Sequence, residues 1–282
     1  MLRVLVLFHL YYKDQLDYFL SKMENISGCI WNLLVTGPDL DSDTRNRILA
    51  FKNDATFLPT SNVGYDLWPF IAAVKSVDLD SYDVLIKLHT KSSTLTNRIN
   101  GMCLKGFAWR DMLVDSLLSS RSVFSSVLES FSDPAVGLVC SRSLYKRVSD
   151  GLYEDLGPLE EELSRLGITT PDRHFCAGTM FAARTSPYKL LQTDLVHEEM
   201  FSPGASHSVG TTGHLYERIV CILVRDAGFR TETVSLNRLR DAFVLFHKGF
   251  SPLLSWLFAL SRKGEEGHKY LTIFGIDIKI AD

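Results

Sequence analysis

From Arg3 to Val234 short apolar runs alternate with amphipathic stretches, a pattern that few folds can accommodate. Arg3 to Leu10 is rich in Val and Leu, and Asp14 to Met23 follows with Leu16, Phe19, Leu20 and Met23 at helical spacing. The pattern repeats: Ile30 to Thr36 is apolar, Ser42 to Phe51 helical, Thr56 to Pro59 a brief strand, Leu67 to Val77 helical and Val84 to Leu88 a strand. Two helical runs, Phe107 to Leu118 and Ser122 to Phe131, precede the next strand, Val136 to Val139. Strands that alternate with helices pair in parallel, because each crossover helix returns the chain to the same edge and covers a face of the sheet. The expected fold class is α/β, a mostly parallel sheet flanked by helices.

Between Ser141 and Arg173 the composition turns polar, with Glu160, Glu161, Glu162 and Arg165 on a surface helix. Gly178 to Ala183 then reads as a strand, Ser202 to Gly213 as a loop dense in Gly, Ser, Thr and His, His214 to Asp226 as a helix and Thr231 to Val234 as a strand. There is no internal repeat and no low-complexity linker. The expected organisation is one domain over residues 1–245, with an insertion at 141–173 and a loop excursion at 202–213, followed by a C-terminal appendage at 246–282. In the appendage, Ser251 to Lys263 joins Trp256, Leu257 and Phe258 to a basic end. That pattern suits a helix lying in a membrane interface, or one packed on the domain or on a partner chain. Ile276, Ile278 and Ile280 alternate with Asp277 and Lys279 as a last edge strand.

Composition excludes several classes. With 282 residues, 46% of them hydrophobic, the chain can bury a large core and is not disordered. Its 30 Lys+Arg against 33 Asp+Glu are not gathered into a basic stripe, so a sequence-independent nucleic-acid binder is not expected. Neither long apolar run, Arg3 to Phe8 or Leu253 to Leu260, reaches the roughly 18 to 20 residues of a membrane span. The first run reads as a core strand rather than a secretory signal, and the expected location is cytoplasmic. Five cysteines, odd in number and without a C-x-x-C pair, argue for reduced thiols rather than disulfides or zinc.

In such sheets ligands sit beyond the carboxyl ends of the strands. Three polar clusters follow strands. In Asn62-Val-Gly-Tyr-Asp-Leu-Trp-Pro-Phe70, Gly64 permits a tight turn, Asp66 can cap the next helix and Pro69 fits its first turn. The Asn62 amide can hold that turn or reach a base or ribose. In Lys87-Leu-His-Thr-Lys91, period-2 alternation places Lys87, His89 and Lys91 on one side. Lysine in a central strand needs a partner: an anion such as a diphosphate, or a salt-bridge network with Asp66 or Asp83. In Gly210-Thr-Thr-Gly-His-Leu-Tyr-Glu-Arg218, His214, Glu217 and Arg218 share one helical face, either as general-base machinery or as a solvated polar face. His9, Tyr11 and Tyr12 end the first strand, where a ring can stack on a nucleobase or belong to the core. Arg110, next to Trp109, suits phosphate or the surface. His247 and Lys248 either close over the site or lie in solvent.

These segments, in this order, resemble the rhamnan synthesis protein F family of bacterial polysaccharide glycosyltransferases. The matching text is Val4-Leu-Val-Leu-Phe-His-Leu-Tyr-Tyr12, Asn62-x-Gly-x-Asp-x-x-Pro-Phe70, Tyr82-Asp-x-x-x-Lys-x-His-Thr-Lys-Ser92, Trp109-Arg110, Gly137-Leu-Val139, Phe175-x-Ala-Gly-Thr-Met-Phe181 and Gly210-Thr-x-x-His-x-x-Glu-Arg218. The resemblance implies a glycosyltransferase-A type fold and transfer of a sugar, rhamnose first, from a nucleoside-diphosphate sugar to a hydroxyl of a growing surface polysaccharide or lipid-linked glycan. His9, Tyr11, Asn62, Gly64, Asp66 and Arg110 would lie on the donor side. Lys87, His89 and Lys91 would stand where many enzymes of this fold carry an Asp-x-Asp metal motif, so side-chain charge would stabilise the departing diphosphate and no metal or other cofactor is expected. Gly178, Thr179 and Arg218 would lie on the acceptor side, with Glu217 or His214 as base. The family pattern has an Asp before Gly210-Thr211; this chain has Val209. Contact with the inner face of the plasma membrane would suit a lipid-linked acceptor. The competing readings are a phosphoesterase or nucleotidyl-transfer enzyme and a catalytically silent nucleotide-sugar-binding scaffold.

Overall fold

The computed structural model describes residues 1–94, 96–148, 156–202 and 211–246, and the strands Phe258–Lys263, His268–Ile273 and Ile276–Ala281. Strand β1 (Arg3–His9) is followed by α1 (Leu16–Met23), β2 (Ile30–Gly37), α2 (Ser42–Phe51), β3 (Thr56–Pro59), α3 (Leu67–Lys75) and β4 (Val84–His89). A ribbon of β5 (Thr96–Ile99) and β6 (Met102–Lys105) comes next, then α4 (Ala108–Leu118), α5 (Arg121–Ser130) and β7 (Val136–Ser141). Strand β8 (Tyr145–Arg147), α6 (Gly157–Arg165), β9 (His174–Cys176), β10 (Phe181–Arg184), α7 (Thr212–Asp226) and β11 (Arg230–Val234) follow.

Seven strands form one sheet in the order β11-β7-β10-β4-β1-β2-β3. All neighbours are parallel except β10, which runs antiparallel to both β4 and β7. The expected fold class, a mostly parallel sheet flanked by helices, is the one observed. Every residue of β4 and β7 is buried, as is β1 after Arg3, because helices cover both faces. Phe8 meets Phe19 of α1 with ring centroids 4.7 Å apart, and Phe181 stacks on Tyr188 at 6.2 Å. Each such buried side chain contributes roughly 1.5–3 kcal/mol.

Strand direction places the site. The carboxyl ends of β1, β2 and β4 share one edge, and the antiparallel β10 begins at that same edge. The turn before β10 therefore joins the loops that follow the parallel strands. Gly178 and Thr179, expected within a strand, make this turn, with φ of 97° and 47°; a strand cannot hold two left-handed residues. Strand β9 pairs antiparallel with β8, so the 141–173 segment is a small ribbon carrying α6, with 149–155 outside the described residues.

The chain divides into two compact units, Met1–Asn97 with Leu104–Leu236 and Arg98–Cys103 with Asn237–Asp282. The second unit thus takes in 237–245, placed by the sequence reading in the main domain. It holds a helix over 238–246 and a three-stranded antiparallel sheet in the order β12 (Phe258–Lys263), β13 (His268–Ile273), β14 (Ile276–Ala281). The helix expected over Ser251 to Lys263 is corrected in its second half: 258–263 is a strand fully paired with β13, which satisfies its backbone outside any helix. Trp256, Leu257, His247, Lys248 and the 203–210 part of the 202–213 loop lie outside the described residues. No helix among the described residues is long and apolar enough to cross a membrane. All five cysteines are free thiols; Cys140, Cys176 and Cys221 are buried, Cys29 partly so, and Cys103 is exposed.

Candidate active site

A polar row crosses the sheet at its carboxyl edge. In register, Thr36 of β2 lies beside His9 of β1, and His9 beside His89 of β4. The His9 Nδ1 and Thr36 Oγ1 atoms are 3.0 Å apart. Burial drives the His9 imidazole down to about 4, against the pull of the Asp66 charge.

Asp66 is the centre of the cluster. It sits where a cap for α3 is expected, yet its side chain makes no capping hydrogen bond. Its Oδ2 instead accepts from the buried Lys87 ammonium, from Thr179 Oγ1 at 3.1 Å, and lies 3.3 Å from His89 Nδ1. Lys87 also reaches Thr179 Oγ1 at 3.1 Å and His89 Nδ1 at 3.3 Å. Burial alone would raise the Asp66 carboxyl, but the ammonium groups of Lys87 and Lys91 outweigh it and hold it well below the usual carboxylate range. Of the carboxylates expected near Lys87, Asp66 forms the ion pair, while Asp83 accepts from the Arg3 backbone at 2.7 Å.

Above this floor opens a cleft of about 220 Å³, bordered by His9, Asn62, Asp66, His89 and Lys91 and walled by Tyr11, Tyr12, Tyr65 and Trp109. The Asn62 amide donates to the Tyr11 hydroxyl at 3.4 Å. Lys91 lies with Nζ 3.8 Å from the Trp109 ring centroid; burial pushes its ammonium down. Thr90 Oγ1 accepts from the backbone of Tyr11 and Tyr12 at 3.1 and 3.0 Å, tying the β1 and β4 loops together. His89 is buried, and its Nε2 has no hydrogen-bond partner among the described residues. Burial drives the His89 imidazole well below its usual value, with Lys91 and Lys87 adding to the effect and Asp66 opposing it.

The cleft thus brings together His9, Tyr11, Asn62, Asp66, His89 and Lys91, with Lys87 beneath. Arg110 is not on it. Its guanidinium lies between the Tyr18 and Phe107 rings, 3.6 and 3.9 Å from their centroids, and bonds Asp111 and Gln15. Gln15 Nε2 in turn donates to the Lys91 carbonyl at 2.7 Å, so Arg110 acts on the loop through Gln15. Gln15, Thr36 and Tyr65 escape sequence reasoning: nothing local marks the first two, and Tyr65 is set by its φ of 57° after Gly64 at 61°. Gly64 is required there, since a Cβ would come within 2.5 Å of the Phe201 ring.

On the other side, Glu217 of α7 accepts the Gly178 backbone N–H at 2.9 Å and the Arg218 guanidinium at 3.0 Å. His214 Nδ1 is 2.8 Å from Thr211 Oγ1, and its ring packs on Tyr65 with centroids 5.6 Å apart. Glu217 and His214 therefore flank the Gly178 turn and Tyr65 rather than lining the cleft.

A Mg²⁺ or Ca²⁺ ion takes several carboxylate or carbonyl oxygens. The carboxylate on the cleft is Asp66, whose Oδ2 is already held by Lys87 and Thr179. Among the described residues no group of three or more His, Cys, Asp or Glu is placed to hold a metal.

An α/β domain with a cation-floored, aromatic-walled cleft at the carboxyl edge of its parallel strands belongs to the class that binds ligands at strand ends. The particular family is the one the sequence resembles: residues 1–229 match rhamnan synthesis protein F, and the chain belongs to that family. Two Xanthomonas campestris pv. campestris proteins, of strains B100 and ATCC 33913, each called uncharacterized protein WxcX, are 26% identical over 231 residues, covering 81% of this chain and 32% of theirs. The chain thus matches about a third of their length. Among solved structures, Mycobacterium tuberculosis glucosyl-3-phosphoglycerate synthase in complex with Mn²⁺, UDP and glucosyl-3-phosphoglycerate is similar at 13% identity and a TM-score of 0.34, over 99% of this chain and 90% of that one. A further crystal structure, of a mycobacterial protein, reaches 17% identity and 0.36, over 99% and 86%. Likeness at that level assigns neither ligand nor metal.

Proposed function

We propose that the chain is a glycosyltransferase of polysaccharide synthesis that takes a sugar, rhamnose first, from a nucleoside-diphosphate sugar and places it on a hydroxyl of a surface polysaccharide or lipid-linked glycan. The observation that carries this reading is the cleft itself, in a chain of the rhamnan synthesis protein F family. The Tyr11 ring and Asn62 amide suit a nucleoside, whose base has a face to stack and edges to bond. Lys91 and His89 suit the diphosphate, whose negative charge grows as the glycosidic bond breaks. Lys87, neutralised by Asp66, supports this pair from below. Gly178, Thr179 and Arg218, all buried, support the acceptor side from beneath. Glu217, held beside the cleft by the Gly178 N–H and Arg218, is the base of this reading for an acceptor hydroxyl that reaches the Gly178 turn, with His214 the second candidate. The sugar passes to that hydroxyl, and the nucleoside diphosphate leaves with the electron pair of the broken bond.

A thermal-shift screen over UDP, GDP, dTDP and CMP, with and without their sugars, tests the reading. A ligand at about a hundred times its Kd adds about 2.7 kcal/mol to stability, which raises Tm by about 5 °C or more in a domain of this size. A flat response to every nucleotide overturns the reading.

A further inference from the structure

We propose that Lys87 locks His89 in the tautomer protonated on Nε2, and that this N–H is the fixed donor for a phosphoryl oxygen of the ligand in the cleft. The proposal rests on the nucleoside-diphosphate-sugar reading for its ligand, and on the local geometry for its tautomer. Lys87 is a positioning residue here: it acts through His89 and does not touch the ligand.

Hydrogen-bond capacity around Lys87 selects the tautomer. The Lys87 ammonium is buried and has three polar atoms within reach: Asp66 Oδ2, Thr179 Oγ1 at 3.1 Å and His89 Nδ1 at 3.3 Å. An ammonium has three hydrogens and no lone pair, so it can only donate, and three acceptors match its three hydrogens. Thr179 completes the set by accepting from Lys87 and donating to Asp66 Oδ2 at 3.1 Å. It does so from a left-handed backbone at φ 47°, a conformation a β-branched residue holds only when its surroundings enforce it. If His89 Nδ1 accepts, a neutral ring carries its proton on Nε2.

The rival tautomer is weaker. An Nδ1–H pointed at Asp66 Oδ2, 3.3 Å away, would also face the Lys87 ammonium at 3.3 Å, setting donor against donor. It would also add a third donor to an oxygen that already accepts from Lys87 and Thr179. Burial and the flanking lysines keep the ring from taking a second proton. With Nδ1 committed to Lys87, Nε2 is the remaining polar atom of a side chain whose residue lines the cleft, and it is buried without a partner among the described residues. A buried N–H without an acceptor is costly, and in this proposal the ligand supplies the acceptor. A phosphoryl oxygen is such an acceptor, and Lys91, on the same cleft, supplies the complementary charge.

Long-range ¹H–¹⁵N correlations on ¹⁵N-histidine-labelled full chain read the tautomer directly, with His89 assigned by its loss in His89→Gln. The expected result is an unprotonated Nδ1 and a protonated Nε2 in the free protein, and a shift of the Nε2 resonance on adding UDP. UDP affinity should fall about tenfold or more in His89→Phe and less than threefold in His89→Gln, which keeps an N–H donor. A proton on Nδ1 overturns the lock while leaving the nucleotide-sugar reading standing. An Nε2–H that no UDP, dTDP or pyrophosphate perturbs overturns the phosphoryl assignment and counts against that reading, with the lock intact.

Discussion

The carboxylate of Asp66, at the head of α3, is bound by the buried ammonium of Lys87, 21 residues further along and inside the central strand β4. Each is in place only because the other is. A lone Lys87 would be an uncompensated charge among Phe70 and Phe181, and a free Asp66 would be expected to turn back and cap α3.

Removing one partner strands the other. Lys87→Met and Asp66→Asn should each cost about 3–5 kcal/mol, and the double variant should cost clearly less than their sum. Urea unfolding of the four proteins checks this. Additive losses would mean that the two side chains are energetically independent.

Gly178 is the second structural pivot. A Cβ there would come within 2.7 Å of Leu113 Cδ1 and 2.8 Å of Trp109 Nε1, at a φ of 97° that side chains rarely adopt. Gly178→Ala should cost about 1–3 kcal/mol by overpacking and shift the indole under Lys91. A Tm unchanged within a degree would show that the turn relaxes without cost.

Acid should destabilise the protein early. His9 titrates at about 4 when folded and near 6.5 when unfolded, so between these values the unfolded chain binds the extra proton. Stability contributed by the neutral ring is therefore full above pH 6.5 and is lost as pH falls toward 4, a share of about 3 kcal/mol. His89 is lowered as well and acts in the same direction. Below the ordinary carboxylate range the depressed Asp66 carboxyl adds a second loss, since the unfolded Asp protonates first. Urea unfolding at pH 7.5 and 4.5 should show the drop in the wild type and a smaller one in His9→Asn. Equal drops would remove His9 as its source.

Glu217→Gln keeps an oxygen for the Gly178 N–H and removes the proton acceptor. Turnover should fall about 10²–10⁴-fold with UDP or dTDP affinity unchanged within twofold. Near-normal turnover would pass the role to His214, and His214→Ala would then show the loss.

Much of the fold was legible because its signals are local. The Val- and Leu-rich runs of β1, β4 and β7 and the apolar face of α7 declare themselves by period. The antiparallel direction of β10 does not, since it depends on where the chain re-enters the sheet rather than on Phe181 to Arg184. The strand Phe258–Lys263 reads as apolar followed by basic, which a helix would match equally well. At the site, the motifs containing Asn62, Asp66, His89 and Lys91 were visible, and their convergence on one cleft follows from strand order. What the sequence could not show is which charges are spent internally. Lys87 and Arg110 look alike as free cations, yet Asp66 holds the first, and Tyr18, Phe107 and Asp111 hold the second.

The decisive measurement is donor turnover: nucleoside diphosphate released from dTDP-rhamnose and other nucleotide sugars, measured with chelator present and with and without a glycan acceptor. Release is expected in chelator, faster with acceptor, and reduced at least tenfold in His89→Phe and Lys91→Met. Release from no nucleotide sugar, or release that requires added Mn²⁺ or Mg²⁺ and ignores both substitutions, would contradict this expectation.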